Sequence, residues 1–171
     1  MAPEPSRRTT QPMVTGGSVV ALKYAGGVLV AADTLASYGS MARFEGVVRM
    51  AKVGAAGDTL LAAGGDYSDY QQLLKIVEAR AVQEYVADDA ATLSPSMLHH
   101  WLTRILYQRR SKMDPLWNML VIAGHRKGEA YLGTTDLYGT MYTDDFVVRA
   151  RTLSPPNPPL GPSGRREAAG G

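Results

Sequence analysis

Apolar residues follow two different periods along this chain. The stretches Ser18–Tyr24 and Val28–Ala32 are rich in Val and Ala and flank the pair Gly26-Gly27, a pattern that predicts a β-hairpin. Both carry apolar residues at successive positions, as expected of strands buried on two faces. Val47–Val53 alternates more clearly, and Thr59–Ala63 is a fourth short run bounded by Gly57-Asp58 and Gly64-Gly65. The period then lengthens. Tyr70, Leu73, Leu74, Val77 and Ala81 recur at helical spacing, with Ser68 and Gln71 set out like a capping box. A second helix is predicted from Ser94 as N-cap and Pro95 in the first turn. Its stripe is Leu98, Trp101, Leu102 and Ile105. Arg109, Arg110 and Lys112 complement the dipole of its last turn, and Asp114-Pro115 ends it. Strand-like runs resume at Trp117–Ala123 and Ala130–Gly133, separated by the turn HRKGE and followed by the turn-like DLYG. Strands, two helices, then strands predict an α+β fold with helices covering one face of a sheet.

Composition delimits that domain. Residues 1–12 are polar and Pro-containing and read as a disordered leader or pro-segment, residues 13–150 as the folded domain. Residues 151–171 read as a disordered tail, because the twenty positions from Thr152 hold five prolines and four glycines. At 171 residues, 45% hydrophobic and 20% charged, the chain has the makeup of one globular domain. A net charge of +2 gives no global pull toward nucleic acid or membrane. With no cysteine there is no disulfide, thiolate metal site or cysteine nucleophile.

Several residues invite a chemical reading. Asp33 closes the apolar run VLVAAD, where a carboxylate either caps the next turn, pairs with a base, or belongs to a site. Arg49 and Lys52 lie on the third strand-like segment, within reach of Asp33 across a sheet. Such a pair is either structural or, with Lys alone, able to activate a nucleophile, because Arg holds its proton. Thr15 could act as a nucleophile only if cleavage exposed its own amine. His99 and His100 are adjacent and read as a helix-surface pair; with His125 they make the whole histidine inventory, too sparse for a zinc site. The basic helix end RILYQRRSK is read as dipole complement rather than a nucleic-acid face, with Asp88-Asp89 and Asp114 breaking any broad basic surface. GAAGDTLLAAGGD lacks the Lys-Ser/Thr of a phosphate loop.

Taken together, VTGGSVVALKYAGGVLVAADTLASYGS, ARFEGVVRMAKV, AAGGDYSDYQQL and HHWLTRILYQRRSKMDPLWNMLVIAG resemble β subunits of the eukaryotic 20S proteasome over about residues 10–150. SYGSMARF and LTRILYQRRSKMDPLWN mark one non-catalytic member of that family; the hairpin GGVLVAAD marks only the family at large. The resemblance implies a four-layer αββα sandwich of the N-terminal nucleophile hydrolase type, here with the C-terminal third missing. Active members of that family cut a propeptide so that a threonine becomes the first residue, assisted by an aspartate and a lysine. Counted from Lys23 and Asp33, the nucleophile position falls on Gly17, the aspartate on Asp33 and the lysine on Arg49. Thr15 would need two extra residues in the strand to reach the site.

The resemblance therefore implies a structural subunit with a vestigial site and a structural Asp33–Arg49 pair, buried and worth keeping whole. The expected partners are other proteasome α and β subunits in a 28-subunit barrel. It further implies residence in cytoplasm and nucleus, a part in ubiquitin-dependent protein degradation, and no cofactor, metal, nucleic acid or membrane. Two rivals stand beside it: an active hydrolase using Thr15, and a free-standing binding module acting through the basic helix end.

Overall fold

The computed structural model describes residues 11–54, 57–87, 92–126 and 128–149. The leader up to residue 10, the Asp88-Asp89 loop and the Pro/Gly-rich tail lie outside them.

Eleven strands and two helices are present among the described residues. In order these are β1 (Val14–Gly16), β2 (Val19–Tyr24), β3 (Gly27–Ala32), β4 (Ala36–Tyr38), β5 (Met41–Phe44), β6 (Met50–Val53) and β7 (Thr59–Asp66). Helices α1 (Tyr67–Ala87) and α2 (Pro95–Ser111) follow, then β8 (Asn118–Arg126), β9 (Glu129–Thr135), β10 (Met141–Thr143) and β11 (Phe146–Arg149). They form two antiparallel sheets. The larger has eight strands in the order β10-β9-β8-β7-β1-β4-β5, with β6 also paired to β7. The smaller runs β11-β2-β3.

The predicted hairpin is β2–β3, with Tyr24 opposite Gly27. Its strands are not buried on two faces. Val19 and Ala21 point inward and pack with Ala62, Val121, Ala123, Leu132 and Val147 between the sheets, while Leu29 and Ala31 of β3 are exposed. The two-sided apolar pattern thus reports a face that the described residues leave uncovered. On the far side of the large sheet, Tyr70, Leu73 and Val77 of α1 and Leu98, Leu102 and Leu106 of α2 pack on Leu61, Ala63, Leu120 and Ile122. The described residues therefore make three layers: small sheet, large sheet, helices.

Three boundaries differ from the sequence reading. Residues 47–49 are not strand, because Arg49 is diverted to a tertiary role. The run ending at Ala63 continues through Gly64, Gly65 and Asp66, so the glycines lie inside β7 rather than ending it. At Gly65 φ is +100°, and an added Cβ would collide with Trp117 O, so both conformation and space demand glycine there. The cap of α1 is Asp66, not Ser68: its Oδ1 accepts from Ser68 N at 2.9 Å and Asp69 N at 3.2 Å. Ser94 caps α2 as predicted, accepting from Met97 N.

Candidate functional site

One edge of β7 is shared end to end by two short strands. β6 pairs with residues 59–62 and β1 with Gly65 and Asp66. Arg49 occupies the gap between them. Its carbonyl accepts from Ala63 N at 3.0 Å, and its Nη1 donates back to Ala63 O at 2.9 Å. Its Nη2 donates to Asp33 O at 2.7 Å and, more weakly, to Ser18 O at 3.5 Å. The same nitrogen forms an ion pair with the Asp33 carboxylate. Arg49 is therefore tied to the open end of the β2–β3 hairpin and to the middle of the large sheet, joining the two sheets through main-chain oxygens.

The Asp33–Arg49 pair expected from sequence is formed, but it is not buried on both sides. The Arg49 side chain is 1% exposed and the Asp33 side chain 43%. Burial lowers the pKa of Arg49, with the nearby Tyr70 acting in the opposite direction. The guanidinium still carries its proton across the accessible range and cannot serve as a base. Burial likewise pushes Tyr70 up to about 12, keeping it a neutral phenol.

The two glycines before the hairpin are spatially required. A Cβ built on Gly16 would sit 2.5 Å from Arg49 Nε and 2.6 Å from Cζ. One built on Gly17 would fall on Asp33 Oδ2 and lie 3.0 Å from its Cγ. The glycine pair thus makes room for the ion pair. Gly17 and Asp33 come together as the sequence reading expected, and Arg49 joins them. Lys52 does not: it is exposed on β6 and lines a separate concavity with Val28, Asp58 and His125.

Thr15 lies inside β1, opposite Ser37 of β4 on one side and Asp66 of β7 on the other. Successive side chains of a strand alternate in direction. Because Gly16 faces Arg49, the Thr15 side chain takes the other face of the strand; together with Gly16 and Gly17, Thr15 lines a largely apolar cleft of about 270 Å³ with Met13, Met119 and Leu137. Met13 N donates to Asp66 Oδ2 at 2.9 Å, which fastens the start of β1 to the cap of α1.

Sequence reasoning missed this polar hub. Asp66 N donates to Trp117 O at 2.8 Å, Trp117 N to Asp69 Oδ2 at 2.9 Å, and Asn118 Nδ2 to Gly64 O and Asp66 O. Two aspartates three apart directly before an apolar helical stripe were the available signal. The histidine reading also needs correction. His100 is exposed, but His99 is fully buried, with Nδ1 2.8 Å from Tyr131 Oη. It lies on the Leu98–Leu102 side of α2, where burial lowers its pKa. Among the described residues no cluster of three or more His, Asp or Glu is set to hold a metal, and no helix is long and apolar enough to cross a membrane.

An α+β domain in which a glycine-headed hairpin, an aspartate and a buried arginine meet where two antiparallel sheets join is the class of protein these observations define. The proteasome subunit family model matches residues 13–150. The chain is 49% identical over 138 residues to proteasome subunit beta type-4 of Xenopus laevis, covering 81% of this chain and 56% of that one. It is 42% identical over 148 residues to the beta type-4 protein of Arabidopsis thaliana (86% and 59%), and 47% identical over 113 residues to that of Sus scrofa (66% and 72%). The chain belongs to the proteasome subunit family, and it is similar within it to subunits named beta type-4 and, in Schizosaccharomyces pombe at 50% identity over 146 residues, to one named probable beta type-7. It spans little more than half the length of the first two of these relatives.

Proposed function

We propose that this chain is a non-catalytic, structural β subunit of the 20S proteasome core particle. Its role is to occupy a place in the β ring beside other α and β subunits of the 28-subunit barrel, and so to support ubiquitin-dependent protein degradation in cytoplasm and nucleus. The observation that carries the reading is Gly17. It stands at the nucleophile position, has no hydroxyl, and has no room for one without displacing Asp33. At the position where an active member needs a proton-shuttling lysine stands Arg49, locked on three main-chain oxygens. The site is a structural clamp built from the positions of a catalytic one.

The Thr15 hydrolase reading has no support from the geometry. Cleavage at Val14–Thr15 would cut a strand paired on both sides, and Thr15 would still face away from Arg49. The fold we infer is an αββα sandwich of the N-terminal nucleophile hydrolase type, of which the described residues make three layers.

The test is co-purification of the tagged full chain from cells, followed by mass spectrometry of its N-terminus and reaction with a covalent inhibitor selective for N-terminal threonine. Recovery with other proteasome subunits and no label on this chain is expected. Recovery of a chain that starts at Thr15 and takes the label would overturn the proposal. Imaging of the tagged chain tests the compartments.

A further inference from the structure

His99 is a titratable ring buried completely at the seam between α2 and β9. Its Nδ1 lies 2.8 Å from Tyr131 Oη, and the two rings meet edge to face at 6.0 Å. A Cβ built on Gly133 would fall on Nδ1, so the main chain of β9 lies directly against the ring. Thr103 Oγ1 donates to the His99 carbonyl at 2.8 Å on the helix side of the seam. In the neutral ring Nδ1 accepts from the Tyr131 hydroxyl and the proton sits on Nε2, a tautomer assigned from these neighbours. Burial is the largest force against charging the ring; a main-chain bond with Thr134 favours the charge, and His100, next along α2, opposes it. The other charged groups near the seam are Lys23 of β2, which acts on Tyr131, and Arg126 of β8 and Glu129 of β9, which line the adjoining cleft. Among the described residues no carboxylate bonds to the ring.

We propose that His99 and Tyr131 form a proton-linked latch between α2 and β9. With the ring neutral they hold the first turns of α2 on the sheet, and the proton that His99 takes up in acid is taken up only when those turns lift. A charged Nδ1 is a donor and would confront the Tyr131 O–H, while the main chain at Gly133 leaves no space for water beside it. The phenol is bonded in turn to Ser96 in the first turn of α2, so the same hydroxyl ties both that turn and His99 to β9. Ser96 and Tyr131 line a cleft of about 340 Å³, which gives the first turn room to move on one side. The second half of α2 is fastened separately. Leu106 is buried, the turn at Gly139 packs on Tyr107, and Arg109 pairs with Asp114 at 3.1 Å. Lifting is therefore confined to residues 95–103. The latch stands whether or not the chain occupies a place in a ring.

Lifting exposes an imidazole of ordinary pKa 6.5. With the seated ring neutral, the opening constant exceeds its alkaline value by about 1.1-fold at pH 7.5 and about 11-fold at pH 5.5. Hydrogen exchange of the full 171-residue chain, read as protection relative to the intrinsic rate at each pH, measures this. Residues 95–103 should be about tenfold less protected at pH 5.5 than at 7.5, with α1 and the second half of α2 unchanged. His99→Gln should remove the difference; His100→Gln and His125→Gln should keep it. Tyr131→Phe should lower protection of the same residues at both pH values. In the chain carrying both His100→Gln and His125→Gln, His99 is the only histidine. Its ring proton resonance should still be that of neutral imidazole at pH 5.5, where an ordinary one is about nine-tenths charged. That arm leaves His99 in place, so it decides even where His99→Gln does not fold. Equal protection at the two pH values, a loss shared equally by α1, a difference that survives His99→Gln, or a His99 resonance that titrates near 6.5 would overturn the proposal.

Discussion

Replacing Arg49 by alanine separates two accounts of what holds the sheets together at the clamp. If the ion pair is the source of stability, Asp33 and Arg49 are equal partners. The geometry says otherwise. Arg49→Ala abolishes short bonds to Ala63 O and Asp33 O and the longer one to Ser18 O, and it empties the space under Gly16. Each charge-assisted bond of this kind contributes about 1.5–3 kcal/mol, and an unfilled void adds to the loss. Allowing for relaxation, the expected cost is about 4 kcal/mol, a large part of a typical domain's total. At about 3 °C per kcal/mol for a domain of this size, the thermal midpoint falls by about 12 °C. Asp33→Asn leaves the main-chain oxygen of residue 33 in place and alters only a carboxylate that is 43% exposed. Its screened contribution is about 1 kcal/mol or less, because the guanidinium keeps its carbonyl acceptors. Urea unfolding of both variants, followed by circular dichroism, measures the difference. Equal losses would refute the main-chain account and return the ion pair to the central role.

Gly17→Thr, which restores the missing hydroxyl, should yield no peptidase activity and should cost about 1–3 kcal/mol through crowding against Asp33; turnover of a fluorogenic peptide by the variant would contradict the vestigial site. Gly65→Ala should be more damaging than an ordinary surface change, at about 3 kcal/mol or more, since both φ and Trp117 O oppose a Cβ; a wild-type unfolding midpoint would contradict it. Burial holds His99 below its ordinary 6.5, so as pH falls past that value the unfolded chain protonates first and stability declines. The unfolding midpoint should therefore drop between about pH 7.5 and 5.5, and His99→Gln should flatten that dependence. A chain beginning at Gly17 loses the strand that joins β7 to β4 and should unfold well below one beginning at Gln11, as differential scanning fluorimetry would report.

Much of the architecture was legible because it rests on short-range periodicity. The hairpin at Gly26-Gly27, the cap at Ser94 and the apolar stripes of α1 and α2 are set by neighbours within a few residues. The proximity of Gly17 and Asp33 was legible for a different reason: both lie at the open end of one hairpin, whose register brings its two ends together. His99 was misread because adjacency to His100 says nothing about which of them the large sheet covers. The cap at Asp66 was misread because the strand was thought to end at the glycines, and only the close approach of Trp117 explains why it does not.

What the chain's own order of residues determines is the set of local elements and the absence of a reactive oxygen at residue 17. No arrangement in space can supply a hydroxyl to glycine. What only the tertiary structure decides is what surrounds that position. Arg49 becomes a clamp because β6 and β1 end on either side of Ala63, leaving a gap of the right size at one edge of β7. Thr15 is held in β1 by strand pairing on both sides. The apolar outer face of the small sheet is a product of the same kind. Its residues are visible in the sequence as two-sided runs, but that the described residues cover only one side follows from where the helices pack. Burial is a property of neighbours distant in sequence, and hydrophobic character alone does not say which face has found one.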